Sequence, residues 1–457
     1  MNSSPTPADN ALSRRALWVI IALFAAIWFG NLDYRKLVRP DEGRYAEIPR
    51  EMAASGDWLT PRLNGIKYFE KPALQYWATA AAYTAFGEHH WTVRIWPALT
   101  GFLGVLLIGF VGARLFGATP GVIAATVVAA SPGYILIGHI ATLDMGLTFF
   151  MTATLCGLLM GLRETTDTAS ARRWMHLAWA AMAFAVLSKG LIGMVLPLFV
   201  TGMYVITTWQ WDVVKRSYPL TGLALFLAIC APWFVAVSLA NPEFAHFFFI
   251  HEHFARYASR GHNRPGPMWY FIPILAVGML PFLVPMLRAA IATRWPKGRT
   301  FNPLWMLVLW TTLIFAFFSA SSSKLPSYIL PIFPSIALLI AAIPAARQLH
   351  WSAIALVAIA GCGTLWLGAI VTRFAGDPAQ LPLYEAFSPW IIAAGAIALA
   401  GAVAAWALAR RGTVAQWLAL GTGALLSVQC VMMGHDTLHR ASSCLLYTSP
   451  SPRDQRG

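Results

Sequence analysis

The stretch RPDEGRYAEIPRE, residues 39–51, packs seven charged residues into thirteen positions of a chain in which charged residues make up 11%. Asp41 follows Pro40, a helix-start signal, and Glu47 and Glu51 stand four apart, on one face of a helix. Arg44, Glu47, Arg50 and Glu51 read as solvated pairs on a short interfacial helix. Asp41 and Glu42, at its mouth, are the better candidates for acid–base work. In IKYFEKPALQYW, residues 66–77, Lys67, Glu70 and Lys71 alternate with Tyr68, Phe69, Tyr76 and Trp77. Aromatics beside lysine form the usual belt at a membrane boundary, which accounts for Trp77. A carboxylate between two lysines suits other chemistry: the lysines offer compact positive charge to a phosphate, and Glu70 offers an oxygen to a divalent ion.

Four further stretches carry isolated reactive groups. In GHIATLDMG, residues 138–146, Asp144 stands alone at the end of an apolar run, where it is either a helix cap or a functional carboxylate. In LSKGLIG, residues 187–193, Lys189 is a lone charge between two apolar runs, open to snorkelling or to phosphate binding. FFFIHEHFARYASRGHNRPGPMWYF, residues 247–271, crowds His251, His253, Arg256, Arg260, His262 and Arg264 into one loop. A His-x-His pair is a weak metal signal alone, but with Glu70 from another loop it becomes a candidate ligand set. SSSKLPSYILP, residues 321–331, sets Lys324 and Tyr328 at the end of a span.

The elements that must position these groups are membrane helices. Of 457 residues, 58% are hydrophobic, 20 are Trp and 27 Phe, and the mean hydropathy is +0.60. Apolar runs of about 17–25 residues, the length a bilayer core demands, recur from end to end. The reading is an all-α polytopic membrane protein of about thirteen spans, near 16–32, 91–111, 117–137, 145–162, 175–188, 191–208, 219–239, 269–288, 303–320, 327–345, 352–372, 390–409 and 415–434. The first run follows Arg14 and Arg15 without a small-residue cleavage site and reads as a retained span. The five cysteines show no paired or metal-type spacing, and four lie inside apolar runs as small core residues.

Alternate loops separate by charge. One set is short and basic, which the positive-inside rule makes cytoplasmic. The other set, 33–90, 138–144, 188–190, 240–268, 321–326 and 373–389, takes in most of the 19 acidic residues and every stretch quoted above. A net charge of +14 might suggest nucleic acid as a partner, but no soluble basic face exists to carry it. Convergence of cations, carboxylates and aromatics on one membrane side points instead to a pocket for a phosphorylated lipid. A transporter or flippase would place charges near the midplane between inverted repeats. These spans are nearly free of charge and show no clear two-fold repeat.

Taken in order, PDEGRYAEIPREM…GDW, YFEKP, LSKG, HEHFARY and SKLPSYILP resemble the lipid A aminoarabinose transferases. These belong to the polyprenyl-phosphate-sugar-dependent transferases that include the protein O-mannosyltransferases. The resemblance runs from about residue 16 to 345. It implies a GT-C-type core with juxtamembrane helices in the first outer loop (33–90) and a catalytic cavity facing the periplasm of a bacterial inner membrane. It also implies transfer of 4-amino-4-deoxy-L-arabinose or a related sugar from undecaprenyl phosphate to lipid A or another envelope acceptor, with protein O-glycosylation the alternative. By motif, Asp41 resembles the catalytic carboxylate and Asp144 the second acidic residue. Arg44, Tyr68, Lys71, Lys189, Arg256, Lys324 and Tyr328 resemble the groups around the carrier phosphate or acceptor. Glu70 with His251 or His253 resembles a divalent-metal site, and no organic cofactor is implied. Residues 1–440 are expected to form this core. The tail SSCLLYTSPSPRDQRG, residues 442–457, is polar, Pro/Ser-rich and unlike what precedes it. It is expected to be non-native, standing where the family carries a C-terminal periplasmic domain.

Overall fold

The computed structural model describes residues 13–38, 41–163, 167–255, 266–294 and 300–438, with 251–255 described by backbone alone. Helix α1 (Arg14–Phe29) starts where the Ser13 hydroxyl accepts from the Ala16 amide at 3.2 Å. The first outer segment follows, with helices α2 (Asp41–Ser55) and α3 (Leu74–Phe86). Between them lies a hairpin that an all-helical reading does not foresee, strands β1 (Arg62–Leu63) and β2 (Ile66–Lys67). Its turn is Asn64-Gly65, both at positive φ, the sequence and geometry of a tight two-residue hairpin. Glu51, expected as a solvated charge, accepts from the amides of Asn64 and Gly65 and fixes that turn to α2.

Helix α4 (His90–Phe116) then runs through the core and ends at Gly117, whose φ of 107° only glycine adopts readily. Its return is broken: α5 (Ala118–Ala130) and α6 (Pro132–Gly138) meet at 63°, because Ser131 is extended and Pro132 cannot donate the bond that would continue α5. Helices α7 (Leu143–Arg163), α8 (Thr168–Lys189) and α9 (Ile192–Thr208) follow. Asp167 caps the start of α8 with bonds from two amides, and Gly190 at φ 103° ends it.

Each of the thirteen expected spans falls on a helix or a bent helix pair, but fewer of them are long and apolar enough to cross by themselves. Among the described residues, seven helices are long and apolar enough to cross, or nine if the two bent pairs each count as one span. Length and composition alone thus leave the count of thirteen unconfirmed. Helix α1 has 16 residues and α9 has 17, and Pro326–Ala342 is also short. Helix α8 carries Arg172, Arg173 and Lys189 towards its ends.

The outer segment is held to this core from beneath. Arg94, one turn into α4, is fully buried and points its guanidinium at Glu42, also fully buried. Two parallel bonds of 2.8 Å join them, from Nε to Oε1 and from Nη2 to Oε2. The remaining Arg94 donors reach the carbonyls of Leu32, Arg35 and Lys36, and Glu42 accepts from the amides of Val38 and Ala141. Burial works against the Glu42 charge, but the bonds and charge of Arg94 outweigh it and hold the carboxyl below its ordinary range. Glu42 is thus a structural anchor, not the catalytic candidate its place in the sequence suggested. Above it, Tyr45, Ile48, Met52, Tyr68, Tyr76 and Ala80 form a small core that takes in Leu143 of α7.

Removing one partner of such a pair leaves a buried, uncompensated charge, at a cost of about 3–5 kcal/mol. Glu42→Ala is accordingly expected to lower the thermal unfolding midpoint of the detergent-purified protein strongly. A carboxyl held below its unfolded value contributes stability above about pH 4.3, lost as pH falls through the folded value. The drop should therefore be visible at neutral pH and shrink in acid. An unchanged midpoint at pH 7 would remove the anchor role.

Candidate active site

Three of the expected residues reach one cavity because helices end there. Asp41 opens α2, Asp144 lies in the first turn of α7, and Lys189 is the last residue of α8. Carboxylates at helix starts and ammonium groups at helix ends both sit where the helix dipole favours them. The cavity is about 360 Å³. Its wall also includes Arg44, Tyr45, Glu70, Lys71, Thr142, Thr148 and Tyr328, with Leu147, Ile192, Phe317, Phe318 and Pro331 on the apolar side.

The charged groups are interlocked. Arg44 Nη2 lies 2.6 Å from Asp41 Oδ1, one helical turn away. Its guanidinium stands 5.0 Å from the centre of the Tyr45 ring and 6.0 Å from that of Tyr68. Burial disfavours the Arg44 charge, yet Tyr45, Tyr68, Asp41 and Glu70 around it raise its pKa overall. The Tyr68 hydroxyl donates to Glu70 Oε2 at 2.9 Å. Burial first, then Tyr45 and Glu70, keep that phenol protonated far above its usual range. Lys71 Nζ donates to the Glu70 carbonyl at 2.8 Å. Lys189 donates to Asp144 Oδ1, and its ammonium stands 4.9 Å from the Tyr328 ring centre.

Other expected residues stand apart. Lys324 does not line the cavity: it is buried, and its ammonium donates to the carbonyls of Ser319 and Ser321 at 2.8 and 2.5 Å. It closes the end of the helix Pro303–Ala320. Arg256 lies outside the described residues. His251 and His253 fall in the helical turn His246–Ala255, with their side chains outside the description. Among the described residues no three His, Cys, Asp or Glu side chains gather as a metal group. Glu70 uses Oε2 to accept from Tyr68, and its Oε1 is a carboxylate oxygen in this cavity that could be offered to an ion.

Sequence reading missed Tyr45, Thr142, Thr148 and Arg94. Arg94 left a signal: a single arginine at the start of an otherwise apolar run requires a buried partner. Tyr45 sits inside the quoted acidic stretch beside Arg44. The two threonines gave no sign, since hydroxyls in and beside membrane helices are common.

Residues 14–248 match the dolichyl-phosphate-mannose-protein mannosyltransferase family. The undecaprenyl phosphate-α-4-amino-4-deoxy-L-arabinose arabinosyl transferase of Edwardsiella ictaluri is 33% identical over 332 residues, covering 72% of this chain and 60% of the relative. A second such transferase, from Proteus mirabilis, is 30% identical over 406 residues, covering 86% of this chain and 72% of the relative. The chain therefore spans somewhat less than two thirds of the Edwardsiella protein. The crystal structure of ArnT from Cupriavidus metallidurans bound to undecaprenyl phosphate superimposes with a TM-score of 0.88 at 37% identity, covering 95% of this chain and 79% of that one. The Archaeoglobus fulgidus oligosaccharyltransferase, at 14% identity and a TM-score of 0.52, shares the fold alone. The chain belongs to the undecaprenyl phosphate-α-4-amino-4-deoxy-L-arabinose arabinosyl transferase family, within the wider dolichyl-phosphate-mannose-protein mannosyltransferase family.

Proposed function

We propose that the protein is an inner-membrane glycosyltransferase that moves 4-amino-4-deoxy-L-arabinose, or a related sugar, from undecaprenyl phosphate to lipid A or another envelope acceptor at the periplasmic face. One observation carries the reading: Arg44, Lys71 and Lys189 meet Asp41 and Asp144 in a cavity that is apolar on its other side. That arrangement suits a lipid with a phosphate head and a sugar. The relatives named for this chemistry, and the ArnT structure holding undecaprenyl phosphate, support it. The match to protein mannosyltransferases favours a second reading, a protein acceptor. Mass spectrometry of lipid A and envelope proteins from cells with and without the gene separates the two.

In the proposed reaction the C1–O bond to the carrier phosphate breaks, and its electron pair stays on the phosphate oxygen. Lys71, Lys189 and Arg44 stabilise the charge developing there, the contribution that usually dominates such catalysis. An acceptor oxygen bonds to C1 from the opposite face. A hydroxyl acceptor passes its proton to Asp41 as general base. A phosphate acceptor is already anionic, and Asp41 then stabilises positive charge at C1. Arg44, bonded to Asp41, keeps that carboxylate oriented. Glu70 with His251 or His253 is the proposed place for a divalent ion, which would add positive charge beside the phosphate.

Asp41→Asn keeps the size of the side chain and removes its charge. It is expected to accumulate and bind donor normally but to transfer sugar about a hundredfold more slowly. Normal transfer by the folded variant would move the role to Asp144. For topology, Ser55→Cys at the exposed end of α2 should react with an impermeant thiol reagent on cells with a permeable outer membrane. Labelling only after inner-membrane lysis would reverse the orientation. Chelation with EDTA is expected to weaken donor binding, and one divalent species to restore it; an unchanged chelated protein would remove the ion.

A further inference from the structure

Several threonines in the helices of this protein satisfy their own hydroxyls. Thr126, Thr154, Thr201 and Thr311 each donate to the carbonyl four residues back, at 2.8–2.9 Å. Thr148 on α7 does not. It is fully buried, lines the cavity, and its Oγ1 has no hydrogen-bond partner among the described residues. Thr142, two residues before Asp144, lines the same cavity and its Oγ1 also lacks a partner among them. A hydroxyl shut away from water and left unbonded is costly, so such groups on a cavity wall point to something that bonds them when the cavity fills.

The position limits what that something is. Thr148 lies one helical turn beyond Asp144 on the same face of α7, deeper than the charged rim and beside the apolar wall residues Leu147, Ile192 and Phe317. The phosphate has cations of its own at the rim. Threonine carries no charge, and its hydroxyl both donates and accepts, which matches the hydroxyls of a sugar ring. We propose that Thr142 and Thr148, on either side of Asp144, form the neutral wall of a sugar subsite that bonds ring hydroxyls of the lipid-linked donor. The inference rests on reading the cavity as that of a lipid-linked sugar transferase. It adds two residues that decide how tightly, and which, sugars are held. A site built to bond a hydroxyl discriminates strongly against an analogue that lacks it.

The test compares two ligands, the sugar-bearing donor and sugar-free undecaprenyl phosphate, on the full chain in nanodiscs. Thr148→Val keeps the shape and removes the hydroxyl. It is expected to bind the donor about tenfold more weakly, equivalent to about 1.4 kcal/mol, with unchanged affinity for the sugar-free carrier. Thr148→Ser keeps the hydroxyl and should retain donor affinity. Thr152→Val is the control: Thr152 is equally buried and unpartnered among the described residues but does not line the cavity, and its change should move neither affinity. Thr142→Val is expected to show the same split as Thr148→Val and decides the matter if the latter fails to accumulate. The inference is overturned if the valine variants hold the donor normally. It is also overturned if both ligands weaken equally, or if Thr148→Ser is as impaired as Thr148→Val. Failure of the unaltered protein to bind or transfer from the donor would instead overturn the functional reading beneath it.

Discussion

The candidate site depends on the buried pair of Glu42 and Arg94. Glu42 is the neighbour of Asp41 in sequence, and through the Ala141 amide it also grips the segment that leads into Asp144. One carboxylate therefore fixes the distance between two others. Arg94 gathers three carbonyls of the 32–36 turn onto the same guanidinium, so the exit of α1, the start of α2 and the start of α7 are tied at a single point. Arg35 reinforces the tie by donating to the His139 carbonyl. A buried ion pair adds little net stability over an apolar substitute, but its geometric demands are strict. Here those demands set the register of the outer segment on the membrane bundle.

The break between α5 and α6 belongs to the same scheme. A straight return helix would carry residues 139–142 away from Glu42, whereas the bend at Ser131–Pro132 lets α6 end beneath α2. Asp144 then starts a new helix facing the cavity, and α8 comes back to deliver Lys189 at its own end. The charged groups are all carried by helix termini or by the outer segment. The bilayer-spanning stretches themselves provide a rigid frame and need few polar contacts.

Much of this was legible in the sequence, because a bilayer imposes a hydropathy signal that survives local irregularity. All thirteen expected segments coincide with helices, and short or bent ones are what leave the number of full crossings unconfirmed. The outer stretches also declared themselves through charge. What stayed hidden was direction. Asp41 and Glu42 are adjacent and alike, yet on a helix they point about 100° apart, and only the position of Arg94, fifty-two residues on, decides which faces inward. Lys324 shows the converse: a lysine just past a helix end looks like a ligand group, but the carbonyls of that end are closer and claim it. The hairpin at Asn64-Gly65 was readable from its dipeptide and was obscured by the apolar context around it.

Three cations and three carboxylates line the cavity, so it is electrically balanced before any ligand arrives. Among the described residues, an incoming anion finds no surplus of positive charge. At two of the three cations it takes a place that a carboxylate already occupies, Asp144 at Lys189 and Asp41 at Arg44. For the proposed lipid-phosphate donor, binding would then be partly an exchange of partners, to which the lipid tail would add affinity. Small free anions such as inorganic phosphate bring no tail and would be poor competitors. The exchange has a second effect. In the proposed reaction, a carboxylate displaced from its cation by the arriving phosphate would be released for work at that moment, so the carrier itself would arm the groups that act on its sugar.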